Sequence, residues 1–285
     1  MSVHTFQHEA MNTYFEVAIA GQNYDYARQV TTAAFRQLDR LESELSRFID
    51  SSDIARANRL APGESTGLTE DTFECLVIAA DISMATQRAF DPAFASQRPP
   101  DLAPDLPPFT LDPGTHTLTS LAARLRLDLG AVGKGFALDR MADLLREWGV
   151  THAYLNAGGS SLLALGASDP AESGWAVGLG EGRGYREISL TDSSLSGSGT
   201  AVKGAHLIDP RTGAAAMRAT RVWALAPGAA QADALATAFF VMNEAEVAAL
   251  CAAHPTVGAA LAAPGEELIV HGALRPLIAA SSPPV

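Results

Sequence analysis

The chain has 285 residues, 47% hydrophobic and 18% charged, a balance that excludes a disordered polymer and allows one large core or two average ones. Its formal net charge of −12 argues against a general nucleic-acid binder, which needs a basic face to displace counterions. A few local cations or a metal can still make one cleft attractive to an anionic ligand.

In chain order, the opening MSVHTFQHEAMNTYF lacks a basic stretch followed by an apolar one, so no signal peptide is expected. No apolar run approaches the length of a membrane span, and a cytoplasmic location is expected. Residues 14–20 alternate like a strand. From 26 to 48, Val30, Ala34, Leu38, Leu41, Leu45 and Phe48 recur every three or four positions and predict an amphipathic helix. A second helix is expected from an N-cap at Thr69 through Met84.

Residues 97–114 are proline-rich and read as an exposed connecting loop. Beyond it a strand is expected at 125–130, a helix over Lys134–Trp148 closed by Gly149, and a strand at 152–159 ending in a turn. Further strands are predicted at 162–166, 175–179, 186–190, 221–226, 257–262 and 267–271. Helices are predicted near 230–242 and 244–253, the latter with Asn243 and Glu246 spaced as a capping box. Helices and strands mix without strict βαβ alternation, so the expected fold is α+β, a single domain over 1–285 with mixed sheets and packed helices. Cys75 and Cys251 fall in apolar helical patterns and read as small buried hydrophobes, and no cysteine near the N-terminus suggests a lipid anchor.

Three constellations carry chemistry. Asp233 and Thr237, at i and i+4 of a predicted helix, put a carboxylate and a hydroxyl on one face. Both are hard oxygen donors suited to Mg²⁺, and the same Asp equally suits the positive end of a helix dipole. Asp128 to Gly135 reads as a strand, a glycine turn and a helix start, where N–H groups and Lys134 can face a phosphate. It is not a Walker A loop, and a plain turn with a solvated lysine fits it too. In His206-Leu-Ile-Asp209-Pro-Arg-Thr-Gly213 an imidazole beside an Asp-Pro turn can accept a proton or simply end a strand.

The order of these and other short motifs resembles the ApbE family of FAD:protein FMN transferases, from about residue 11 to 242. The resemblance rests on Met11-Asn-Thr13, Ser46-Arg-Phe48, Ser52 through Asn58, and Ala89-Phe-Asp-Pro92. It continues through Asp128 to Gly135, Asn156 to Gly159, His206 to Gly213, and Ala232-Asp-Ala-Leu-Ala-Thr237. It implies Mg²⁺ held by Asp233, Thr237 and the carbonyl of Ala131. It implies flavin contacts at Met11, Phe48, Ala89, Phe90, Asp91, Asp128, Lys134, His206 and Leu207. Lys134, His206 and Asp209 are implied nearest the transfer chemistry.

The implied activity is Mg²⁺-dependent transfer of FMN from FAD to a Ser or Thr hydroxyl of an acceptor protein, releasing AMP. An FAD pyrophosphatase and a non-catalytic flavin-binding module are the alternatives. The chain departs from the family pattern at three places. Phe48 stands for Tyr, Ser160-Ser161 follow Gly-Gly, and Leu195 replaces Thr before Ser196-Gly197.

Overall fold

A computed structural model describes residues 2–103, 106–180, 184–199, 208–216, 220–262 and 268–280. Strands β1 (Val3–Ala10) and β2 (Thr13–Ala20) form a hairpin closed by Met11 and Asn12 at φ 51° and 59°. A two-residue hairpin of this hand needs the left-handed region at both positions, a conformation that a long side chain such as Met rarely adopts. Helix α1 (Tyr24–Leu45) follows, started by the Asn23 side chain accepting from the Tyr26 N–H, and buries Val30, Ala34, Leu38, Leu41 and Leu45. Next come α2 (Asp53–Ala57), β3 (Ser65–Gly67) and α3 (Glu70–Ala85), the last capped by Thr69 as expected.

Strands β4 (Phe109–Asp112) and β5 (Thr117–Ser120) join β3 in a small sheet ordered β3-β5-β4. The proline-rich stretch is therefore not loop throughout. After Pro107 and Pro108 it forms β4, an edge strand, where neighbouring prolines cost no ladder bonds.

Residues 125–130, expected as a strand, carry no ladder. This segment is held instead by the Asn58 side chain, whose Oδ1 accepts from the Leu127 N–H at 2.6 Å and whose Nδ2 donates to the Leu127 carbonyl at 3.0 Å. Its apolar alternation is real, because Leu125, Leu127 and Leu129 are all buried, but no neighbouring strand pairs with it.

Helix α4 (Gly133–Glu147) leads to β6 (Ala153–Ala157), β7 (Ser161–Leu165), β8 (Trp175–Leu179), β9 (Arg186–Leu190), β10 (Ser193–Gly199) and β11 (Arg221–Ala226). Then follow α5 (Ala229–Val241), α6 (Glu244–Ala253), β12 (Gly258–Ala262), β13 (Ile269–Gly272) and α7 (Leu274–Ala279). The Asn243–Glu246 capping box forms at α6 as its spacing predicts.

Eight strands make one antiparallel sheet, ordered β1-β2-β6-β7-β10-β11-β12-β13. Its two faces bury different cores. On β2, Phe15, Val17 and Ile19 point into the core shared with α1, α3, α4 and α5, while Ala18 and Ala20 join Trp175, Val177, Ile188 and Leu190 of the β8–β9 hairpin. The result is a single α+β unit with the sheet between two layers. Among the described residues no helix is long and apolar enough to cross a membrane.

Candidate active site

The site is built where α4 crosses α5. At Gly135 the two helices touch so closely that an added Cβ would lie 2.0 Å from the Ala229 carbonyl oxygen. Only glycine allows that approach. At the N-cap of α5, Gly228 has no side chain with which to cap the helix. Asp139 of α4 takes over that task, its two carboxylate oxygens accepting from the Ala229 N–H at 2.7 Å and the Ala230 N–H at 2.8 Å. Burial pushes the Asp139 pKa up to about 6, against the lowering effect of those two N–H groups.

One turn along α5, Asp233 reaches back to α4. Its Oδ2 accepts from the Gly135 N–H at 3.2 Å and stands 3.3 Å from Lys134 Nζ. The carboxylate is 6% exposed and the ammonium 18%, so the pair is nearly withdrawn from solvent and screened little by salt. Beneath it, burial first, then Asp139, Asp233 and Asp71, push the Cys75 thiol well above its ordinary value. Cys75 is thus an inert buried group, as its apolar setting predicts.

The turn before α4 forms the next wall. Asp128 Oδ1 accepts from the Gly130 N–H at 2.9 Å, and its other oxygen lies 3.2 Å from an Arg47 guanidinium nitrogen. Opposite, the β6–β7 turn passes through Gly158 at φ 61°, and a Cβ there would meet the Thr13 hydroxyl at 2.4 Å. The strained Met11–Asn12 turn is tied down by the Glu42 carboxylate, which accepts from the Met11 N–H at 2.9 Å.

These walls enclose two adjoining cavities. The larger, about 480 Å³, is lined by Lys134, Asp233, Thr237, Ser160, Ser198 and Arg221, among others. The smaller, about 200 Å³, is lined by Leu45, Arg47, Phe48, Asp128, Leu129 and Gly133, among others. Met11, Asn12, Gly130 and Lys134 border both. Phe48 is 81% exposed at the rim, with the Arg47 guanidinium 4.7 Å from its ring centroid. One end of the groove thus offers an aromatic face and aliphatic walls, and the other offers a cation, hydroxyls and a carboxylate.

Among the described residues no three His, Cys, Asp or Glu side chains gather where they could share an ion. An ion here would have one carboxylate, Asp233, with the Thr237 hydroxyl one turn away and the backbone carbonyl of Ala131 beside cavity-lining Gly130. Sparse oxygen donors that leave positions for water and phosphate oxygens fit Mg²⁺ and suit neither Zn²⁺ nor a fully caged Ca²⁺.

Of the residues singled out in the sequence, Met11, Phe48, Asp128, Lys134, Asp233 and Thr237 therefore lie around one continuous groove, with Ala131 next to it. Others lie elsewhere. Ala89 and Phe90 are buried in the core, and Asp91 pairs with Arg88 and accepts from the Ala93 N–H. That segment reaches the site through its backbone, since the Pro92 carbonyl accepts from the Asp128 N–H at 2.8 Å. Asp209 lies outside the lining of both cavities and forks with Arg211, whose other arm binds Glu246. His206 and Leu207 lie outside the described residues.

Thr13, quoted above only as part of a motif, lines the larger cavity together with Ser198, Gly180 and Arg221, none of which was expected as a site residue. Ser198 is 6% exposed and its hydroxyl has no protein partner among the described residues. The available signal was the glycine spacing Gly197-Ser-Gly199, which marks close backbone approach but not its purpose.

The model of the ApbE family matches residues 11–98 and 102–261. A relative from Treponema pallidum (strain Nichols), named FAD:protein FMN transferase, is 33% identical over 165 residues, covering 50% of this chain and 45% of the relative. That match spans less than half of the relative's length. One of the same name from Klebsiella pneumoniae (strain 342) is 22% identical over 272 residues, covering 82% and 77%. Among solved structures, the flavinyl transferase ApbE of Pseudomonas stutzeri aligns with a TM-score of 0.83 at 21% identity, covering 99% of this chain and 98% of that one. The flavin transferase ApbE of Vibrio cholerae aligns at 0.82 and 20%, covering 97% and 99%, so the fold is shared across nearly the whole length. With a family match that covers most of the sequence, this chain belongs to the ApbE family.

Proposed function

We propose that the protein transfers FMN from FAD to a Ser or Thr hydroxyl of an acceptor protein, with Mg²⁺ bound, and releases AMP. The observation that carries this reading is the convergence of Lys134, Asp233 and Thr237 on a polar cavity that adjoins the pocket rimmed by Phe48. FAD needs both ends of such a groove: an aromatic face for a flat ring and a cationic, oxygen-lined wall for its pyrophosphate. The names carried by the relatives support the same chemistry.

Asp233, Thr237 and the Ala131 carbonyl would hold Mg²⁺, which when bound neutralises pyrophosphate charge. Lys134 supplies a second cation to the same phosphates, and its ion pair with Asp233 fixes where that cation stands. His206, with Asp209, is assigned to accept the proton of the acceptor hydroxyl, a role worth roughly 10²–10⁴-fold. The hydroxyl oxygen then bonds to the phosphorus on the FMN side, the bridging P–O bond breaks, and AMP departs with the electron pair. Met11, Phe48 and Asp128 hold the flavin end, backed by the Ala89–Asp91 segment.

The test is incubation of the purified protein with FAD, Mg²⁺ and a flavin-acceptor domain, read by in-gel flavin fluorescence. The expected result is a covalent fluorescent band that EDTA or Asp233→Ala removes. Free FMN and AMP without a band would replace this reading with FAD pyrophosphatase activity. Intact FAD throughout would leave a flavin-binding module.

A further inference from the structure

We infer that Asp139 is a positioning residue for the Asp233–Thr237 pair, a role that rests on the proposed metal-dependent chemistry. Helix α5 carries both proposed ligands but has no side-chain cap of its own. Its first turn is instead held by the Asp139 carboxylate at 2.7 and 2.8 Å, from the helix that also carries Lys134. Asp139 and Asp233 therefore form two reciprocal ties across the crossing. Asp139 of α4 holds the N–H groups that begin α5, and Asp233 of α5 accepts the Gly135 N–H of α4. Gly135 packed on Ala229 makes the contact between them a fixed pivot.

The tie requires an ionised carboxylate, because a protonated acid turns one of its two oxygens into a donor facing an N–H group. Burial favours the protonated form, with Asp143 adding to that and Arg146 opposing it from the same helix. On α3, packed against the crossing, the Cys75 thiol feels the Asp139 carboxylate, and burial keeps that thiol neutral throughout the working range. Asp139 thus loses its proton at about 6, where the clamp on α5 becomes complete. Protonation below that value withdraws one of the two caps and frees the first turn of α5 to shift Asp233.

The experiment compares the full-length protein with Asp139→Asn by hydrogen exchange of the α5 amides and by the Mg²⁺ concentration that half-saturates FAD cleavage. Asn keeps the shape and one acceptor but not the second. The expected result is faster exchange across the start of α5 and a half-saturating Mg²⁺ concentration raised roughly 10–100-fold, with kcat at saturating metal nearly unchanged. With exchange expressed as protection relative to the intrinsic rate at each pH, the wild type should lose protection across the start of α5 and need more Mg²⁺ as pH falls from about 8 to about 5, whereas the variant should show neither change.

Exchange and metal requirement that match the wild type in Asp139→Asn would overturn the assignment. Should that variant fail to fold, the pH series of the wild type decides alone, and protection of the α5 amides that does not change with pH counts against the role. If the wild type cleaves FAD without needing Mg²⁺, the functional reading fails, while the exchange data still decide whether Asp139 clamps α5.

Discussion

Phe48 offers its ring to solvent and little to the core, so its effects on binding and folding should separate. Phe48→Ala is expected to raise the KM for FAD about tenfold or more, as loss of one stacking partner does, with kcat and thermal stability close to wild type. Steady-state kinetics beside a melting curve checks both halves. Asp139 separates them in the opposite sense. Its folded pKa of about 6 lies above the ordinary value of 3.8, so the folded state binds its proton more tightly than the unfolded one. The stability contributed by this group is present below about pH 4 and is lost as pH rises through about 6, an effect on the order of 3 kcal/mol. Urea unfolding across that range should show wild type losing this much relative to Asp139→Asn. A constant difference between the two would count against the buried, ionised carboxylate. Where the loss is seen, the molecule holds a costly charge at neutral pH in order to fix a helix start.

At the scale of elements, the α4–α5 crossing sets the site, and its two glycines should behave differently. Gly135→Ala places a methyl group 2.0 Å from the Ala229 carbonyl oxygen, so the helices must separate. A loss of more than about 3 kcal/mol is expected, together with most of the activity. Gly133→Ala adds a methyl group whose nearest neighbour is Leu129 Cβ at 3.9 Å, and its stability should stay within about 1 kcal/mol of wild type. Chemical denaturation of the two variants makes the comparison. Much of this level was legible in the sequence, because α1 and α4 carry clear periodicity and α3 and α6 recognisable caps. The strands β1 and β10 were not. VHTFQHEA alternates mostly polar residues, and SSLSGSG packs by being small rather than by being apolar. Neither carries the hydrophobic contrast from which a strand is read.

At the scale of the whole molecule, the sheet buries residues on both faces, which is why β7 reads as a nearly continuous apolar run, whereas β2 was placed by its alternation. The site was legible as residue types and motif order, but not as an arrangement. Lys134 and Asp233 stand 99 positions apart, and nothing local to either states that they meet at 3.3 Å. Nor could the sequence tell that Ala89 and Phe90 would be core while Phe48 stayed exposed, since all three lie in motifs of equal apparent weight. The left-handed Met11–Asn12 turn escaped for a related reason: it is imposed by the hairpin closing around it and by Glu42, not by the intrinsic preference of either residue.

Lys134, Asp233 and Thr237 are borne on two helices locked at a glycine contact, rather than on loops that can loosen separately. Heating should therefore give no intermediate range in which the protein is folded but idle. Loss of catalysis and loss of helical signal should follow one curve with one midpoint, and an inactivation midpoint well below the melting midpoint would show that the crossing opens on its own.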